Sequence, residues 1–248
     1  MSWNGRLNDV SFHVRPGEVV GLGGLDGQGQ RELLLALFGV LQRMQGDVLI
    51  DGKKVAIDGP HTAKRRDIGM ALIPEDRKTE GLMLPMSVRD NLSFAALASL
   101  SRAGVIDVAK ERAAVARIAR LLDVRSDGME VPAGALSGGN QQKLVIGKWL
   151  MMSPRILLLN DPTRGIDVGT KQEMYRLLRE LADAGAGILF YSTDYDELIG
   201  CCDRVFVMYD GAIVGELQGA EITEHALVSH ALNIGGDTSD RPSHAAIT

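Results

Sequence analysis

The stretch VVGLGGLDGQGQRELLLALFG, residues 19–39, decides the fold. Val19–Gly24 is a short apolar run, and Leu25–Gly29 is a glycine-rich turn. Arg31–Phe38 then reads as a helix, with Leu33, Leu34, Leu37 and Phe38 on its apolar side and Gly39 as its stop. Strand, glycine loop and helix in that order open an α/β unit. The loop also fits most of G-x-x-x-x-G-K-[ST], with Gly24, Leu25, Asp26, Gly27, Gln28 and Gly29 followed by Gln30, Arg31 and Glu32. That pattern works through backbone N–H groups, freed by glycine, that face phosphate oxygens at a helix N-terminus. Here the lysine position holds Gln30 and the hydroxyl position holds Arg31. On this stretch alone, a tight strand–helix turn with no ligand stays open. A dinucleotide fingerprint starting at Gly21 and Gly23 fails, because Asp26 stands where its third glycine is needed.

Working outward, DVLI and KKVAI flank Asp51-Gly52, and RVFVM and AIVGEL flank Asp210-Gly211. Alternating apolar residues around Asp-Gly predict two β-hairpins. From Ser87 to about Val124 the sequence is helical in character, with Val115, Ile118, Ala119 and Leu122 at i, i+3, i+4 and i+7. Gly128–Gly139 is a loop, and a helix is expected from about Gly139 to Met152. ILLL at 156–159 and GILFY at 187–191 are wholly apolar, as expected of strands buried on both faces. Met174, Leu177, Leu178 and Leu181 mark a helix between them, closed by Gly185. The expected architecture is therefore an α/β core with an antiparallel β subdomain and an inserted α-helical subdomain at about 86–135. A single domain is expected over 1–235, with 236–248 as a disordered tail because it is mostly polar.

Composition narrows the function classes. The chain has 248 residues, 45% hydrophobic and 24% charged, the profile of a globular domain with a sizeable core. A net charge of −5 and 4% aromatic residues argue against gripping a nucleic-acid backbone or stacking bases. No apolar stretch reaches the ~18 residues of a membrane span. The start, MSWNGRLNDV, has no basic segment followed by an apolar run, so a cytoplasmic chain is expected. Cys201 and Cys202 are sequence neighbours, which leaves no disulfide framework. Glycine is in excess, 29 of 248 residues, about 12% against a usual ~7%.

Three further stretches carry a family resemblance. LSGGNQQK at 136–143 resembles the signature of ATP-binding-cassette (ABC) ATPases, and its ending looks like the carbohydrate-uptake branch. ILLLNDPTRGIDVG at 156–169 looks like that family's Walker B strand and D-loop. IPEDRKTEGL at 73–82 resembles a segment of the second, C-terminal cassette of those two-cassette subunits. With the phosphate loop, these motifs stand in the family's order, and the resemblance covers about residues 5–235. It implies a P-loop NTPase fold, ATP and Mg²⁺ as cofactors, and two cassettes packed head to tail. Each ATP then lies between one cassette's phosphate loop and the other's signature.

The resemblance also assigns positions. Ser137, Gly138, Gly139, Asn140, Gln141 and Asp167 match the residues presented to a partner's nucleotide. Ser137 offers a hydroxyl, and the glycines offer open N–H groups at the start of a helix. On the chain's own side six positions depart from the family. Gln30 replaces the Walker A lysine and forfeits a charge-assisted bond. Arg31 replaces a Mg²⁺-coordinating hydroxyl, and a guanidinium has no lone pair. Asn160 stands where the Walker B aspartate would support the metal. Asp161 takes the place of the catalytic glutamate, one methylene short. Glu75 takes the Q-loop glutamine position, and Thr193 that of the switch histidine. The expectation is a degenerate Walker site beside an intact signature, which completes another cassette's ATP site better than its own.

The implied role is the C-terminal half of a sugar importer's ATPase, peripheral at the cytoplasmic face of the inner membrane. Its implied partners are a first cassette, membrane permease subunits and, through them, a periplasmic sugar-binding protein, with no nucleic acid. A chain carrying one cassette is expected to be a truncated or naturally split half. A non-catalytic nucleotide-binding regulatory module, a nucleoside importer and a nucleic-acid-maintenance ATPase of the same fold are the competing classes. Trp3 lies about where the family places an adenine-stacking aromatic, and a packing role is equally open. Met83 and Met86 could face a membrane partner or simply pack. His13, His61, His225, His230 and His244 show no metal spacing. Asp194, Asp196 and Glu197 form an acidic helix start that the macrodipole favours without any function.

Overall fold

The apolar run before the glycine loop forms β1 (Val19–Gly23), buried at all five positions. The computed structural model describes residues 1–234. After β1 come α1 (Gln30–Leu37), β2 (Val48–Ile50), β3 (Lys53–Val55), α2 (Pro60–Ala63) and β4 (Met70–Ile73). The middle carries α3 (Val88–Ser93), α4 (Leu97–Leu100), β5 (Ser101–Arg102), β6 (Val105–Ile106), α5 (Val108–Leu121) and α6 (Gly138–Leu150). The last part carries β7 (Ile156–Asn160), α7 (Val168–Asp183), β8 (Gly187–Tyr191), α8 (Tyr195–Cys201), β9 (Arg204–Tyr209), β10 (Ala212–Gln218) and α9 (Glu224–Ala231). The expected tail at 236–248 lies outside the described residues.

The residues fall into two compact units: 1–72, 155–161 and 173 onward form the first, and 73–154 with 162–172 the second. The first is built on a six-stranded sheet in the order β10-β9-β1-β8-β7-β4. β1 runs parallel to β8 and β9, and β7 parallel to β8. These central strands are buried, so they read as unbroken apolar runs. Both expected hairpins form. Asp51 and Gly52 (φ 51° and 71°) and Asp210 and Gly211 (φ 46° and 74°) are left-handed pairs, the geometry that matches strand twist. The second hairpin is part of the main sheet: β10 pairs antiparallel with β9, which itself pairs with β1. Buried Arg204 ties this edge together, donating to Glu18 at 3.0 Å, to Glu216 at 2.9 Å and to the His13 carbonyl at 2.8 Å. A charge this buried needs such partners.

In the second unit α3, α5 and α6 pack on one another. The stripe Val115, Ile118, Ala119 and Leu122 is buried. α6 comes so close that a Cβ on Gly147 would lie 2.6 Å from Leu92 and 3.0 Å from Ile118. α6 belongs to this unit, which contains the stretch 86–135 within it. The stretch 87–124 is also not helical throughout. A small β5–β6 hairpin interrupts it, turning on Ala103 and Gly104 (φ 50° and 80°). One turn of π-helix, Arg77–Gly81, is capped by Asp76, whose Oδ1 accepts from the Lys78 N–H at 2.8 Å. No helix among the described residues is long and apolar enough to cross a membrane.

Candidate functional site

In a parallel sheet, ligands are met at the carboxyl ends of the strands. Register puts Leu22, Tyr191 and Asn160 side by side across β1, β8 and β7, at ~4.8 Å per strand. The glycine loop, Asp161 and Ser192–Thr193 therefore leave the same edge of the first unit. The loop is tightly shaped. Gly24, Gly27 and Gly29 have φ of 123°, 79° and 106°. A Cβ on Gly24 would lie 2.3 Å from the Met208 carbonyl oxygen, so glycine is required there by space as well as by conformation. The loop is also held from outside. Gln28 Oε1 accepts from the Asp210 N–H at 2.7 Å, and the Gln28 carbonyl accepts from the Gly211 N–H at 3.0 Å. Hairpin turn and glycine loop thus fix each other, a pairing across more than 180 positions that no local signal announces.

Gln30 is fully buried. Its Nε2 donates to the Gly23 carbonyl at 3.2 Å and the Leu25 carbonyl at 3.1 Å, bridging the two sides of the loop. Two carbonyl acceptors fix which end of the amide is which, and Gln30 Oε1 is left buried with no hydrogen-bond partner. Asn160 Oδ1 is buried and unpartnered in the same way. α1 starts at Gly29 with no side chain capping it, and Glu32 adds an acidic group to its first turn.

Three successive residues at the end of β8 reach three different elements. Tyr191 donates its hydroxyl to Asp26 Oδ1 at 3.0 Å, at the tip of the glycine loop. Ser192 donates to Glu197 Oε2 at 2.7 Å, while Tyr175 donates to Glu197 Oε1 at 2.9 Å. Thr193 donates to Asp161 Oδ2 at 2.9 Å. Asp161 itself is buried and left-handed (φ 44°). So Asp161 and Thr193, the residues expected from sequence at the catalytic-glutamate and switch places, are brought together directly. Sequence reasoning did not find Tyr191, Tyr175, Ser192 or the buried role of Glu197, because their partners are distant or on neighbouring elements. Asp194 does cap α8, accepting from the Asp196 N–H at 3.1 Å.

The remaining site residues lie in the second unit. Ser137 is the N-cap of α6, accepting from the Asn140 side chain at 2.9 Å and its N–H at 3.4 Å. Asn140 Oδ1 accepts in turn from the Arg125 N–H at 2.8 Å. Gln141 is buried and donates to the Leu136 carbonyl at 3.1 Å. A Cβ on Gly138 would lie 3.0 Å from the Arg77 guanidinium, and one on Gly139 only 2.6 Å from Thr170 Oγ1. Asp167 accepts from the Thr170 N–H at 3.0 Å and its hydroxyl at 2.9 Å, and these bonds hold its carboxyl below the usual range. Glu75 is paired with Arg164, and Arg77 donates to the Arg164 carbonyl at 3.4 Å. A pocket of about 470 Å³ opens beside the signature, lined by Arg125, Ser126, Leu136, Ser137 and Asn140 among others. Of the residues read as open, the Trp3 indole donates to the Gln42 carbonyl at 2.9 Å, and Met86 is exposed.

ATP and Mg²⁺ fit the first unit's loop unequally. The left-handed glycines and the uncapped start of α1 suit a chain of phosphates. A divalent ion takes oxygen ligands, carboxylates above all. Position 31 offers a guanidinium and position 160 a neutral amide. The carboxylates at this edge, Asp26 and Asp161, each accept a hydroxyl from the end of β8. The residues present fit the phosphates and do not fit the ion.

A family model described as ABC transporter matches residues 7–164. The chain is 69% identical over 239 residues to ribose import ATP-binding protein RbsA 1 of Mesorhizobium japonicum, covering 96% of this chain and 46% of that protein. It is 66% identical over 237 residues to the protein of the same name from Rhizobium johnstonii, with the same two coverages. The chain thus spans about half the length of the curated relatives it matches. Among solved structures, an ATP-binding cassette of an ABC transporter gives a TM-score of 0.78 at 23% identity, covering 92% of each chain. A nucleotide-free cassette gives 0.75 at 23% identity, covering 90% of this chain and 89% of the other. The family match runs from the segment before the glycine loop to just past the end of β7, taking in the glycine loop, Glu75, Ser137–Gln141 and Asn160–Asp161, and the chain belongs to the ABC transporter family.

Proposed function

We propose that this chain is one ATP-binding cassette of a sugar-import ATPase, presenting its signature turn to ATP held by a first cassette. The observation that carries this is the contrast between the two units. The signature keeps a helix start capped by Ser137 and led by two glycines, Gly138 and Gly139. The chain's own loop has a neutral amide folded into it where a cationic side chain would face phosphate, and Asn160 and Arg31 in place of metal-supporting oxygens. Relatives named for ribose import support sugar as the cargo. On this reading residues 1–235 form the cassette. ATP is hydrolysed to ADP and phosphate, and the step is coupled to inward transport through permease subunits fed by a periplasmic sugar-binding protein. The chain sits at the cytoplasmic face of the membrane.

In the chain's own loop, Gly24–Glu32 would hold phosphates through backbone N–H groups. Thr193 would orient Asp161, the carboxylate at the catalytic-glutamate place of the resemblance, which would take the proton from water. Its shorter side chain and its bond to Thr193 make it a poor base. The test is ATPase turnover of the chain alone and then with a first cassette. Little turnover alone and strong turnover in the pair is the expected outcome. Robust Mg²⁺-dependent hydrolysis by the isolated chain that requires Gln30 would refute the proposal.

A further inference from the structure

We infer that the loop at 24–32 holds a nucleoside di- or triphosphate without a divalent cation. This rests on the proposed function and sharpens it at the chain's own loop. The phosphate side of the site is built: three left-handed glycines, a helix start with no side-chain cap, and Arg31 as the one cationic residue among 24–32. A helix N-terminus carries roughly half a positive charge, which favours an anion whether or not a metal accompanies it.

The metal side is dismantled at each point where oxygen would be supplied. Arg31 carries nitrogen donors only, and its charge repels a cation. Gln30 spends its amide N–H groups on the Gly23 and Leu25 carbonyls, so the amide is folded into the loop and brings no charge to the site. Asp26 and Asp161 are engaged by the Tyr191 and Thr193 hydroxyls. Gln30 Oε1 and Asn160 Oδ1 are free acceptors, but they are neutral, and Mg²⁺ leaves its water reluctantly for anything short of a carboxylate or phosphate. Losing the ion therefore costs this site little, whereas a site in which the metal bridges protein and phosphates depends on it.

The experiment is equilibrium binding of labelled ATP and ADP to this chain, in excess magnesium and in excess EDTA. The expected result is a Kd that changes by no more than about threefold between the two. Weakening by more than about tenfold in EDTA, or no binding in either condition, overturns the inference. A double variant, Arg31→Thr with Asn160→Asp, returns a hydroxyl and a carboxylate to the metal positions. Its binding should become tighter in magnesium than in EDTA, and a variant that folds yet stays indifferent to magnesium also overturns the inference. The wild-type comparison stands even if that variant fails to fold. Magnesium-dependent binding by the wild-type chain, together with low turnover alone, would remove this inference and leave the proposed function standing. High turnover by the chain alone would remove both.

Discussion

Gly24→Ala should be among the most damaging single-methyl additions in the chain, and Gly27→Ala among the milder ones, though both lie in one loop. At Gly24 two penalties coincide. The backbone is at φ 123°, where side chains are strained by ~1–3 kcal/mol. The new methyl would also sit 2.3 Å from the Met208 carbonyl oxygen and 2.8 Å from Gln30 Nε2. The carbonyl belongs to β9, whose neighbours on both sides fix it, so it cannot give way. Overpacking of this kind adds ~1–3 kcal/mol, for a total of ~2–6 kcal/mol. At Gly27 nothing lies within 4 Å and only the left-handed backbone (φ 79°) objects, at a cost of ~1–2 kcal/mol. Urea denaturation of the two variants and the wild type, compared at matched slopes, measures both values. If Gly24→Ala falls within ~1 kcal/mol of wild type, or Gly27→Ala costs as much, the described loop geometry is wrong.

Glu197→Ala should cost ~2–4 kcal/mol, because the Ser192 and Tyr175 hydroxyls would lose their acceptor; the melting temperature should fall by ~2–4 °C per kcal/mol. Burial, with Glu197 nearby, pushes the Cys201 thiol up to about 12, and burial pushes Cys202 higher than its ordinary value too. Neither should be alkylated at neutral pH until the chain unfolds, and fast labelling of the native chain by iodoacetamide would contradict this. Asp167 should titrate below its ordinary 3.8, because it accepts two bonds from Thr170. Its contribution to stability is therefore present above that value and lost as pH falls through the lower folded one. Carboxyl NMR titration against Thr170→Ala should show the value return toward ordinary.

Local chemistry made much of this fold legible. The strand–loop–helix at 19–38 was readable because glycine and apolar spacing act within a few residues. Asp51-Gly52 and Asp210-Gly211 were readable because a two-residue turn needs left-handed residues there. Ala103-Gly104 carries a weaker form of the same signal, and its flanking Val105 and Ile106 are exposed, so nothing in the alternation set the β5–β6 hairpin apart from a helix. The site was legible as motifs but not as contacts. Gln30 could be seen as a missing lysine, yet its fold back onto Gly23 and Leu25 depends on the loop's shape. Tyr191 with Asp26, and Glu75 with Arg164, join residues far apart in sequence, and only the sheet and the second unit's packing bring them together.

The central claim is that this chain's signature matters more to hydrolysis than its own phosphate loop. The direct measurement is ATPase turnover of the chain paired with a first cassette, comparing Ser137→Ala with Gln30→Ala. Ser137→Ala removes the cap of α6, worth only ~1 kcal/mol of stability, so a folded variant should still assemble. It is predicted to lose far more turnover than Gln30→Ala. The opposite order, with Gln30→Ala abolishing hydrolysis and Ser137→Ala leaving it intact, would contradict the account.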